Sequence, residues 1–97
     1  PELPELTADA AMLQSGRKLY TDRCSVCHGD GVVSGGVLPD LRYLDKEGHD
    51  AWQAIVLGGL HRERGMVSFA QVLSVQDSEA VHAYVLSRAH ALKNGQP

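Results

Sequence analysis

Residues 24–28 read Cys-Ser-Val-Cys-His. Two thiols separated by two residues and followed directly by an imidazole form the attachment signature of haem c. On one tight helical turn, Cys24 and Cys27 can form thioethers with the two vinyl groups of a single haem. His28 is then carried beneath the iron as an axial ligand, and the hard chemistry belongs to the cofactor. Other chemistries use the same residues less completely. A dithiol redox site usually follows a strand in a βαβ pattern, and no such pattern precedes Cys24. Structural zinc takes four protein ligands; with no second cysteine pair, two would have to come from His49, His61, His82 and His90. A disulfide across two residues would staple almost nothing.

An iron held by His28 has a sixth position to fill. The candidates are Met66, between Gly65 and the hydrophobic stretch Val67-Ser68-Phe69, and His61, within the charged run His61-Arg62-Glu63-Arg64. A thioether paired with histidine raises the reduction potential. A second imidazole would give a lower one. The flanks favour Met66 as the second metal ligand, against the common use of methionine as a core filler; Met12 fits that ordinary role. The other ring nitrogen of His28 needs a partner to fix tautomer and ring plane, and the carbonyl of Pro39 is the best-placed rigid acceptor. Haem propionates need donors, for which Arg42, the Tyr43 hydroxyl and the Trp52 indole N–H are the choices. A solvated Arg42 and a core Trp52 are the competing readings. Leu41 and Phe69 complete the expected cofactor-binding set.

These residues must be carried by helices. Residues 1–7, with prolines at 1 and 4, read as an extended lead-in or the end of a linker, leaving 8–97 as a single domain. Thr7 can cap a helix beginning near Ala8. Its face of Met12, Leu13, Gly16, Leu19, Tyr20 and Arg23 recurs at three- and four-residue steps. Gly16 within that face costs helix stability, which implies a close backbone neighbour. Residues 29–48 read as a glycine-rich loop and about His49–Leu57 as a short helix stopped by Gly58 or Gly59. Residues 60–73 read as a second loop. Ser74 with Asp77 makes a capping box opening a last helix whose buried stripe is Val81, Tyr84, Val85 and Leu92. His90 and Lys93 suit its C-terminal end, and Asn94-Gly95 stops it. No strand and no internal repeat is expected: the fold class is all-α.

Composition narrows the class further. A chain of 97 residues supports one domain, and domains this small often need a metal, disulfides or a cofactor. One Phe, one Trp and three Tyr are few for a self-sufficient core, so a buried haem would supply the missing apolar bulk. The formal charge of −3 and the lack of a basic stripe argue against nucleic acid. No apolar run approaches the ~18 residues of a membrane span. The chain begins at Pro1 without methionine or a signal peptide, as expected of a processed or excised form. Covalent haem attachment belongs outside the bacterial cytoplasm, so the motif implies a periplasmic location.

Taken together, Gly16 through Tyr20, Cys24-Ser-Val-Cys-His28-Gly-Asp-Gly31, Leu38-Pro39-Asp40-Leu41, Gly65-Met66 and the helix through Ala83-Tyr84-Val85 resemble a small class I cytochrome c over most of the chain beyond residue 8. Ile55-Val56-Leu57-Gly58-Gly59, Gly65-Met66-Val67-Ser68-Phe69 and residues 79–89 are similar to something narrower, the C-terminal cytochrome domain of quinohaemoprotein alcohol dehydrogenases, which carry pyrroloquinoline quinone (PQQ) in a β-propeller. The resemblance implies the class I fold, with first and last helices crossing near Gly16, Tyr20 and Tyr84 and loops wrapping one covalent haem. It implies thioethers at Cys24 and Cys27, axial ligands His28 and Met66, and Pro39 as the His28 acceptor. Such domains usually have proline after the ligand methionine; here Val67 stands there.

The expected function is outer-sphere electron transfer rather than enzyme catalysis. The resemblance implies a PQQ dehydrogenase as donor and a cytochrome, copper protein or oxidase as acceptor, met in small transient contacts. The isolated domain is expected to be monomeric. A haem c site with a labile Met66, open to ligands or peroxidatic chemistry, is the alternative. A separate carrier and an excised domain both remain open.

Overall fold

The computed structural model describes residues 3–36 and 40–95. Helix α1 runs over Ala10–Arg23 and is capped by Asp9, whose carboxylate accepts from the Met12 N–H at 2.8 Å. The expected cap at Thr7 is therefore corrected by two residues. Both residue types cap well, and the choice follows from the lead-in, which is held extended against the last helix: His90 Nε2 lies 2.8 Å from the Pro4 carbonyl. A single turn, α2 (Ser25–His28), follows directly, with Cys24 joining the two helices.

The region expected to be one loop and one helix is more finely divided. Short 3₁₀ turns occupy Asp30–Val32 and Leu41–Tyr43. Helix α3 (Lys46–Asp50), capped by Asp45, starts before the expected His49, and α4 (Trp52–Val56) follows after a break at Ala51. His49 and Trp52, three residues apart, both reach the same side chain of the last helix. Trp52 stacks on His82 with centroids 4.4 Å apart and planes 8° apart. His49 meets it edge to edge, with centroids 5.1 Å apart and planes 21° apart. A third 3₁₀ turn, Arg62–Arg64, interrupts the second loop.

Helix α5 (Val75–Lys93) begins at the expected capping box: Ser74 Oγ accepts from the Asp77 N–H, and the Asp77 carboxylate accepts from the Ser74 N–H, each at 3.0 Å. It ends at Asn94, with Gly95 at a positive φ of 82°. Val81, Tyr84 and Val85 are buried as expected, whereas Leu92 is only half-buried. No strand occurs among the described residues.

The core forms where α1 lies against α5. Tyr20 is fully buried and packs its ring 5.4 Å from that of Tyr84. Gly16 makes the approach possible, because a Cβ there would be driven into the Ala80 carbonyl and lie 3.1 Å from Tyr84 Cβ. Both obstacles belong to the body of a helix and cannot swing aside. Gly16→Ala is therefore expected to destabilise the domain by about 1–3 kcal/mol, as overpacking does, read as a lowered denaturation midpoint.

His49 is buried, and its Nδ1 lies 2.8 Å from His82 Nε2. His49 Nε2 is buried without a hydrogen-bond partner among the described residues. A bare lone pair there costs less than an unsatisfied N–H, so the geometry assigns the proton to His49 Nδ1, donating to His82. Burial, with His49 adding, pushes His82 from 6.5 down to about 4; burial likewise lowers His49. The unfolded chain then binds more protons than the fold between about pH 6.5 and 4, so stability must fall as pH falls through that window. Denaturation midpoints measured from pH 7.5 to 4 are expected to decline, with a shallower decline in His82→Gln.

Candidate functional site

The pentapeptide occupies one turn of backbone. The Cys27 and His28 N–H groups both donate to the Cys24 carbonyl, at 3.2 and 3.0 Å, and the Gly29 N–H closes on Ser25 at 2.9 Å. Ser25 Oγ adds a bond to the Thr21 carbonyl at 2.7 Å, tying the turn to the end of α1. Cys24 and His28, four residues apart, share a helical side. Both line an internal cavity of about 540 Å³, within the range usual for small-molecule sites. Cys27 is exposed and lies outside that lining, and neither cysteine is in a disulfide.

The second loop is fastened to the end of α4 and delivers Met66 to the same cavity. The Phe69 N–H donates to the Val56 carbonyl at 2.8 Å and Ser68 Oγ to the Leu57 carbonyl at 2.5 Å. Gly65, at φ 98°, reverses the chain after the 3₁₀ turn, and the Met66 N–H donates back to the His61 carbonyl at 3.2 Å. Leu41, Leu44, Trp52, Ile55, Val56 and Val81 make the cavity walls mostly apolar. Besides Tyr20, Cys24 and His28, its titratable members are Asp45, Glu47, His61 and Arg64.

Burial sets the protonation of the key groups. It lowers His28 below the usual imidazole value, so the ring is neutral near pH 7 and has a lone pair to offer a metal. It raises the Cys24 thiol to about 11, with Cys27 adding. His28 Nδ1 is buried and has no hydrogen-bond partner among the described residues. No group of three or more His, Cys, Asp or Glu able to hold a metal ion occurs among the described residues, so the zinc reading lacks its ligand set there. A haem fits what is present: an apolar cavity, a paired-thiol turn at its edge, a neutral imidazole and a soft thioether.

The expected residues divide clearly. Cys24, His28, Leu41, Trp52 and Met66 come together on the cavity. Phe69 packs against the core outside the lining. Pro39 lies outside the described residues. Two of the expected donors have partners within the protein. The Arg42 guanidinium is committed to the Asp40 carboxylate at 2.7, 3.0 and 3.2 Å, and Arg42 is not in the lining. The Trp52 indole N–H donates into α5, to the Ser78 carbonyl at 3.1 Å and its hydroxyl at 3.2 Å. Trp52 therefore serves as a wall, and Tyr43 is largely exposed. Arg64, Asp45 and Glu47 were not expected at the cavity. Only Arg64 carried a signal, standing two residues before Met66 on the ligand loop.

An all-helical domain whose Cys-x-x-Cys-His turn feeds an apolar cavity shared with a methionine loop defines a c-type cytochrome. The chain belongs to the cytochrome c family, since the family described as "Cytochrome C oxidase, cbb3-type, subunit III" matches residues 11–85. As a cytochrome c domain it is an electron-transfer module. Among curated relatives it is 45% identical over 92 residues to quinohemoprotein alcohol dehydrogenase ADH-IIG of Pseudomonas putida, covering 95% of this chain and 13% of that one. It is 41% identical to ADH IIB of the same species, over 88% of this chain and 12% of the relative. The dehydrogenase subunit of the quinone alcohol dehydrogenase of Gluconobacter oxydans is 34% identical, over 93% of this chain and 12% of its own length. The solved structure of ADHIIG from P. putida HK5 superposes with a TM-score of 0.90 at 44% identity, over 97% of this chain and 14% of that one. The chain thus spans about an eighth of the length of these relatives.

Trp52→Phe is expected to keep the wall but remove the indole donor from the Ser78 carbonyl and hydroxyl. Loss of one buried hydrogen bond predicts a cost of about 0.5–1.5 kcal/mol, measurable by chemical denaturation of the haem-loaded protein.

Proposed function

We propose that this chain carries one haem c, joined covalently through Cys24 and Cys27 with His28 and Met66 as axial ligands, and that it works as an electron relay in the bacterial periplasm. Residues 8–97 form the domain and residues 1–7 an extended lead-in or the end of a linker. The observation that carries the reading is that Cys24, His28 and Met66, from two separate segments, line one apolar cavity. When bound, the haem supplies a one-electron iron couple tuned by its axial ligands.

The chain's own residues prepare that couple. Cys24 and Cys27 anchor the cofactor at the edge of the cavity. His28 presents a neutral imidazole, for which the Pro39 carbonyl is the proposed second partner. Met66 closes the remaining position with a neutral thioether, leaving no place for a substrate. Leu41, Leu44, Ile55 and Val81 exclude water, and Phe69 braces the ligand loop from behind. The donor is a PQQ-type dehydrogenase, in the same polypeptide or as a partner, and the acceptor is a cytochrome, copper protein or oxidase. The long relatives matched along nearly the whole of this chain, all named as quinohemoprotein or quinone alcohol dehydrogenases, support that donor class.

One feature keeps a second reading alive. His61 lines the same cavity as Met66, and Val67 follows the methionine. A labile Met66 would leave a site for ligands or peroxidatic chemistry.

The deciding measurement is the optical spectrum of the ferric protein. The weak long-wavelength sulfur-to-iron charge-transfer band is expected, with Met66→Ala abolishing it, opening the iron to carbon monoxide in the ferrous state and lowering the midpoint potential. A haem-loaded wild type without that band would remove Met66 from the ligand set. An unchanged yield of covalent haem with an unchanged alkaline pyridine spectrum in Cys27→Ala would sink the attachment reading.

A further inference from the structure

Axial histidines are usually held in plane by a hydrogen bond from their other ring nitrogen. Among the described residues His28 has no such side-chain support: its Nδ1 is buried and unpaired. Besides the Pro39 carbonyl proposed above, the backbone that follows His28 bears on the placement of the ring. That backbone is unusual. Gly29, Gly31 and Val32 have φ of 89°, 63° and 68°, three left-handed residues within four positions. For Val32 the conformation is strained, since a β-branched side chain rarely adopts it, yet the residue is fully buried in the core. Such strain persists only where the surroundings over-determine it.

Two side chains from far along the chain supply that over-determination. From α1, the fully buried Tyr20 donates its hydroxyl proton to the Gly29 carbonyl at 2.6 Å. From α5, Arg88 Nε donates to the Gly31 carbonyl at 3.0 Å. Gly29 itself has no room for a side chain, because a Cβ would run into the Val33 carbonyl. The carbonyl directly after His28 and the one two residues further are thus held from the two helices whose packing builds the core. Tyr20 also lines the cavity with Cys24 and His28.

We propose that Tyr20 and Arg88 are positioning residues for His28: by holding the Gly29 and Gly31 carbonyls from opposite helices, they keep the turn 29–32 left-handed and so fix the axial imidazole at the cavity. The inference rests on the haem reading above and adds the second-layer contacts through which the helix packing sets the ligand. Each of the two carbonyls is reached by a side chain that is not itself a ligand, so the contacts can be removed without replacing the ligands. Tyr20→Phe deletes only an oxygen. Arg88→Met keeps the length of the stem, and Arg88→Lys restores one donor.

The test uses the haem-loaded protein. Haem content and covalent attachment are first established for the wild type by mass and by the alkaline pyridine spectrum; a wild type without haem would overturn the haem reading and this inference with it. With haem present, the paramagnetic proton shifts of the haem methyls report the imidazole plane, and the midpoint potential reports the ligand field. Tyr20→Phe and Arg88→Met are each expected to redistribute the methyl shifts and move the potential, with Arg88→Lys returning both toward wild type. Variants that lose thermal stability while keeping the wild-type methyl pattern and potential would reduce Tyr20 and Arg88 to structural residues and overturn the inference. Should Tyr20→Phe fail to load haem, the Arg88→Met and Arg88→Lys pair decides by the same readouts.

Discussion

The approach of α1 to α5 at Gly16 is the constraint on which the rest of the structure depends. Removing one Cβ allows the Ala80 carbonyl to sit where a side chain would otherwise be, and that spacing brings Tyr20 against Tyr84. With α1 held at that depth, its C-terminal end delivers Cys24 to the cavity rather than to solvent. The same packing lets Tyr20 reach the backbone after His28. Helical stability in proteins comes mostly from such packing rather than from intrinsic propensity. A glycine that weakens α1 locally therefore strengthens the domain as a whole.

The site divides its work between a local element and a distant one. The pentapeptide turn places its groups through hydrogen bonds confined to residues 20–29. The methionine arrives on a loop more than thirty residues later, and that loop owes its position to bonds with the end of α4. Between them the apolar walls do the electrostatic work, since burial alone keeps His28 neutral. The histidine pair at 49 and 82 lies behind Trp52, itself a wall residue. An uncharged imidazole pair can sit there, with His82 stacked on the indole and His49 buried beside it, without placing a charge in the low-dielectric interior.

Where reading the residues went astray, two good solutions competed and distant contacts chose between them. Thr7 and Asp9 both cap helices; Asp9 was selected because the backbone before it is tied to α5 through Pro4 and His90. Arg42 and Trp52 both carry donors suited to a propionate, but each found a nearer acceptor. Asp40, two residues away, claims the guanidinium in a forked pair, and Ser78 claims the indole N–H from across the core. The single helix expected near His49–Leu57 is two short ones that meet at Ala51, and His49 and Trp52 on either side of it both contact His82.

Features whose physics is confined to a few neighbouring residues were legible without the fold. The Cys24–His28 turn, the Ser74–Asp77 capping box, the stop at Asn94-Gly95 and the need for a close neighbour at Gly16 all follow from side-chain chemistry at separations of one to four residues. All-helical character was legible for the same reason, because the apolar spacing is itself local. What no local pattern could settle was which donors face the cavity, where α1 begins, and how the turn behind His28 is held. Those depend on Pro4 against His90 of α5, on Ser78 beneath Trp52, and on Arg88 fifty-seven residues from Gly31. Contacts at that separation exist only after the chain has packed, so tertiary structure alone decided them.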